Sequence, residues 1–106
     1  MKLITKEIKR KACAQFHLEA CLDQKVVAKF FDPQGSWSWF LMNQDPDDPD
    51  YLWGIVKGFE IEMGSFSLSE LEGYVGRFGL KIERDINFKP MLASDVWRIL
   101  REGKLI

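Results

Sequence analysis

KVVAKFFDPQGSWSWFLMNQ, residues 25–44, is the stretch that decides the fold. Lys25–Asp32 and Trp37–Gln44 are both rich in β-branched and aromatic residues, and Pro33-Gln34-Gly35 between them is a turn signal. In the second segment Trp37, Trp39 and Leu41 alternate with Ser38, Phe40 and Met42, the two-residue period of a strand. Two such runs with so short a connection predict a β-hairpin.

The reading extends outward from there. DPDDPD (45–50) is a loop that two prolines keep out of any sheet. YLWGIVKGF (51–59) predicts a third strand. EIEMGSFSL (60–68) is a fourth, or the third continued past a bend at Gly58. SELE then starts a short helix, with Ser67 or Ser69 as its cap and Gly73 as its stop. The glycine-punctuated GYVGRFGLKIERD leads into a short strand, LKIERD, and INFKP reads as a further edge piece. Upstream, TKEIKRKACAQFHLEACL predicts an amphipathic helix capped by Thr5, with Ile8, Ala12, Phe16 and Ala20 at four-residue spacing. Downstream, Ser94 is read as the cap of a last helix that buries Val96, Trp97, Ile99 and Leu100 and stops at Gly103. Strands that follow one another, rather than alternating with helices, predict an α+β fold. The expectation is an antiparallel sheet of four to five strands, with an N-terminal and a C-terminal helix packed on it, in a single domain over 1–106.

Composition narrows the function classes. The 106 residues are 46% hydrophobic and carry a net charge of −1, so a core forms without staples and a general nucleic-acid coat is disfavoured. Lys2, Lys6, Lys9, Arg10 and Lys11 make the start basic, whereas the 45–50 loop is acidic. The basic start lacks the apolar run of a signal peptide, and no stretch approaches the ~20 apolar residues of a membrane span. Two cysteines do not make a disulfide framework, so a reduced, cytoplasmic protein is expected.

Several groups invite chemistry. Glu60 and Glu62 share one strand face, and Glu83 and Asp85 share another. If the four carboxylates met, they could hold a divalent ion and run hydrolysis. Alternation on a half-exposed strand accounts for the same residues. Arg84 could anchor a carboxylate or phosphate, or close an internal ion pair. Trp37 and Trp39 either pack inward or form a binding patch. Cys13, His17 and Cys21 are spaced i, i+4, i+8 but lack a fourth ligand, and DPDDPD fails the calcium-loop pattern because Pro49 and Asp50 stand at its fifth and sixth places, so no metal site is assigned. Neither the glycine spacing at Gly73, Gly76 and Gly79 nor the single His17 supports a phosphate loop or a nucleophilic triad.

MKLITKEI, KFFDPQGSWSWF, GFEIEMGSFSLSELE and GLKIERDINF, in this order and spacing, resemble the bacterial domain-of-unknown-function family numbered 2958. The chain departs from that family's usual wording at Val75, Arg77 and Lys81. The resemblance implies a small protein of a plasmid, conjugative element or phage, and carries no catalytic residue with it. With no complete catalytic constellation, the expectation is a non-enzymatic accessory or regulatory protein of a mobile genetic element. It would act through contacts with another protein, without a cofactor, as a monomer or homodimer. The alternatives are a metal-dependent nuclease or hydrolase using the carboxylates, and a nucleic-acid binder using Lys6, Lys9, Arg10, Arg98 and Arg101 on adjacent end helices.

Overall fold

A computed structural model describes residues 2–106. The hairpin forms as the alternation predicts. Strand β2 (Ala28–Phe31) pairs antiparallel with β3 (Ser38–Gln44), with Ala28 opposite Leu41 and Phe31 opposite Ser38. Asp32 closes the connection by accepting the Gln34 N–H at 3.0 Å. β4 (Tyr51–Lys57) and β5 (Ile61–Ser67) are separate strands joined by a tight turn at Gly58, so the fourth strand is not an extension of the third. With β6 (Glu83–Arg84) the main sheet is antiparallel in the order β5-β4-β3-β2-β6.

Several expectations change. The run 25–32 is not one strand: β1 (Lys25–Val26) leaves the sheet to pair with β7 (Met91–Leu92), while Val27 N–H still reaches the Leu41 carbonyl at 2.8 Å. LKIERD shortens to the two residues of β6, and INFKP contributes no strand.

The helices lie on opposite faces of the sheet. β3 shows why, because both of its faces are apolar. Trp39 and Leu41 join Ile8, Ala12 and Leu71 in one core, whereas Phe40 and Met42 join Val96 and Leu100 in another. Helix α1 (Lys6–Ala14) and the short α2 (Leu68–Gly73) therefore cover one face, and α3 (Ala93–Arg101) covers the other.

Thr5 caps α1, accepting the Ile8 N–H at 3.2 Å. The helix stops at Ala14, well short of the expected run, and a single 3-10 turn (Phe16–Leu18) follows. At the stop, the Gln15 amide turns to the sheet. It donates to the Lys25 and Met42 carbonyls (2.9 and 2.7 Å) and accepts the Lys25 N–H (3.1 Å). α3 begins at Ala93 rather than after Ser94. Its first N–H groups, of Ala93 and Ser94, meet the main-chain carbonyls of Gln24 (2.7 Å) and Leu22 (3.2 Å), so no side-chain cap is required. Gly103, at φ 78°, ends it with the paired Lys104-to-Ile99 and Gly103-to-Leu100 bonds of a Schellman motif.

Candidate functional site

A concavity opens on the α1/α2 face of the sheet, beside the β2–β3 turn. It is a cavity of about 440 Å³ lined by Asp32, Trp37, Trp39, Phe66, Glu70, Leu71 and Tyr74, among others. Each element contributes for a local reason. The start of β3 brings Trp37 and Trp39, whose rings lie 6.0 Å apart and tilted by 35°. Trp37 lies across Gly58, where any Cβ would sit 2.5 Å from the indole, so glycine makes room for the ring. Phe59 then meets Trp37 edge-on at 5.4 Å while remaining 96% exposed. Trp39 is in register with Val56, and Val56 with Glu62, so Glu62 shares the Trp39 face. Gly64, next along that face, has nothing within 4 Å of where a Cβ would be.

α2 forms the second wall. Ser67 caps it by accepting the Glu70 N–H at 3.2 Å. Asp50, from the acidic loop, accepts from Ser67 Oγ at 2.8 Å and from the Ser69 N–H at 2.6 Å. The Ser69 N–H, followed by the Ser67 hydroxyl, favours the charged form and holds the Asp50 carboxyl below the usual carboxylate range. The cap leaves Glu70 and Leu71 facing the cavity, and the chain leaving α2 delivers Tyr74. The Tyr74 hydroxyl donates to Asp32 Oδ2 at 3.3 Å. The negative charge of Asp32 pushes the phenol pKa up, with desolvation and the hydrogen bond adding to it.

The four carboxylates that a shared metal site would need do not meet. Glu62 on β5 and Glu83 on β6 occupy the two outer strands, four inter-strand steps of about 4.8 Å apart, or roughly 19 Å. Glu60 lies in the turn before β5. Asp85 faces Lys29 (3.8 Å) and accepts the Asn87 N–H at 2.9 Å. Among the described residues no three His, Cys, Asp or Glu side chains converge to hold a metal ion. Arg84 donates to the main-chain carbonyls of Lys2 and Leu3, fastening the start of the chain to the sheet edge.

Because α1 ends at Ala14, Cys13, His17 and Cys21 do not share a helical face. Cys13 Sγ instead lies 4.0 Å from Gln44 Oε1, and burial pushes its thiol pKa up. The acidic loop folds on itself through Asx turns, Asp45 to the Asp47 N–H (2.8 Å) and Asp48 to the Asp50 N–H (3.3 Å). The basic end helices sit on opposite faces of the sheet and do not form one surface. Their guanidinium groups are engaged locally: Arg10 with Glu7 (2.6 Å), Arg98 with Asp95 and Glu102 (3.6 Å each), and Arg101 over the Trp97 ring (5.4 Å).

Of the residues singled out from the sequence, the cavity brings together Trp37 and Trp39, and Glu62 lies on the same sheet face two strands away. Asp32, Phe66, Glu70 and Tyr74 were missed as site residues. Asp32 carried only a turn signal and Glu70 only a capping signal. Tyr74 meets Asp32 across 42 positions of sequence, and no local pattern reports that meeting. A smaller cavity of about 340 Å³ lies between Phe16, Glu19, Asn43, Asp45, Tyr51 and Trp53. The Asn43 and Gln24 amides grip the carbonyl of Glu19 there (both 2.9 Å), holding that residue at φ 49°.

The family model described as protein of unknown function (DUF2958) matches residues 3–102, and the chain belongs to that family. No curated protein and no solved structure matches it.

Proposed function

We propose that this DUF2958 protein is a non-enzymatic accessory or regulatory protein that works by receiving a basic segment of another protein on its Trp37–Trp39 face. In this reading it is an accessory product of a mobile genetic element, which rests on the family resemblance alone. The observation that carries the binding role is the composition of one cavity: aromatic rings from β3, β5 and Tyr74 together with the carboxylates of Asp32 and Glu70. Cations bind over aromatic faces with about 0.5–2 kcal/mol each, more as water is excluded. The carboxylates add attraction at the rim. The same charges repel a phosphate backbone, which disfavours a nucleic acid on this face. Phe59, exposed against Trp37, extends the apolar area beyond the cavity, as a docking face requires.

The test is a tryptophan-fluorescence titration with a capped peptide rich in arginine and lysine, against a glutamate-rich peptide of equal length. The basic peptide is expected to bind at low ionic strength and to weaken as salt approaches about 0.15 M. Trp39→Ala is expected to abolish the response. Equal binding of both peptides, or none of the basic one at low salt, would overturn the reading.

A further inference from the structure

We infer that the cavity selects arginine over lysine, and that Asp32 is the residue that makes the distinction. This rests on the basic-segment reading above and sharpens it. Asp32 is held in a fixed orientation by two donors, one on each oxygen: the Gln34 N–H on Oδ1 at 3.0 Å and the Tyr74 hydroxyl on Oδ2 at 3.3 Å. A carboxylate oxygen can accept two hydrogen bonds, so each retains capacity for one more. Two remaining acceptor positions on one planar, braced carboxylate match the parallel N–H pair of a guanidinium. A lysine ammonium is a point charge and gains nothing from that pairing.

The walls agree with the fork. Trp37 and Trp39 form a tilted aromatic wedge beside Asp32, and a planar, weakly hydrated guanidinium stacks on such rings better than an ammonium does. The cavity, about 440 Å³, accommodates the long side chain. The ion pairs of Arg10, Lys11, Lys29, Arg98 and Lys104 are made elsewhere, with Glu7, Asp85, Asp95 and Glu102. Tyr74 is thereby a positioning residue: its hydroxyl orients the carboxylate.

Three capped peptides, Gly-Gly-Xaa-Gly-Gly with arginine, lysine or citrulline at Xaa, separate the outcomes. Binding is read from the indole N–H resonances of Trp37 and Trp39 in 15N-labelled protein. Arginine is expected to bind at least about fivefold more tightly than lysine, and citrulline, which keeps the shape but not the charge, to bind least. Asp32→Asn is expected to bring the arginine-to-lysine ratio close to one. Glu70→Gln is expected to weaken both peptides and keep the ratio. If lysine binds as tightly as arginine to the native protein, the inference is overturned while the basic-segment reading stands. A ratio unmoved by Asp32→Asn overturns Asp32 as its source. Binding of neither peptide overturns both. Should Asp32→Asn fail to fold, the arginine–citrulline–lysine order on the native protein still decides whether a charged fork is selected.

Discussion

Asp32 and Tyr74 show how much chemistry can rest on one contact between residues far apart in sequence. The phenol sits 3.3 Å from a carboxylate oxygen, and the charge of Asp32 raises its pKa. The neutral phenol's contribution to stability is therefore complete below the ordinary phenol value near 10 and is lost as pH rises through the higher native value. In an ultraviolet titration Tyr74 is expected to ionise above the ordinary range, and Asp32→Asn is expected to bring it back down. Glycine tells a second story at this scale. A Cβ on Gly54 would run into the Phe40 carbonyl of the neighbouring strand, whereas one on Gly64 would meet nothing within 4 Å. Gly54→Ala is expected to destabilise by about 2 kcal/mol or more. Gly64→Ala should be neutral, or stabilising by up to about 1 kcal/mol, because alanine is the better strand residue. Urea midpoints of the two variants make the comparison.

At the level of elements, α2 and α3 start in different ways. Six residues do not make a stable helix alone, so α2 depends on its Ser67 cap and on the burial of Leu71. Ser67→Ala is expected to cost about 1 kcal/mol, and to loosen the wall that presents Glu70 and Tyr74. Ser94→Ala, by contrast, should change stability by less than about 0.5 kcal/mol. The first N–H groups of α3 are satisfied by main-chain carbonyls of Leu22 and Gln24, and the Ser94 side chain has no capping role. Thermal melts of the two serine variants check the pair. The capping pattern S-x-x-E at Ser67 was legible because both partners lie within four residues. The start of α3 was misread because its true caps, the carbonyls of Leu22 and Gln24, lie about 70 residues upstream, and a serine near a helix start looks the same whether or not it is used.

For the whole molecule, the central strand β3 feeds two cores. Leu41 and Met42, adjacent in sequence, are both fully buried, on opposite faces of the sheet. Leu41→Ala and Met42→Ala are each expected to cost about 2–5 kcal/mol, measured by chemical denaturation. A sheet covered on one face only would tolerate one of them. The sequence by itself determined the hairpin of β2 and β3, a further strand after the acidic loop, the α+β class and the helical ends, because strand period, turn residues and caps act within a few positions. Only the tertiary structure decided which strands became the edges, and with that the separation of Glu62 from Glu83 and the clamp of Arg84 on Lys2 and Leu3. It also decided that α1 and α3 take opposite faces, and that Asp32, Trp39, Glu70 and Tyr74 share one cavity. The physical reason is range: alternation says which way a side chain points from its own strand, but what it then meets depends on strand order and on which helix covers that face, and both are settled by packing between distant segments.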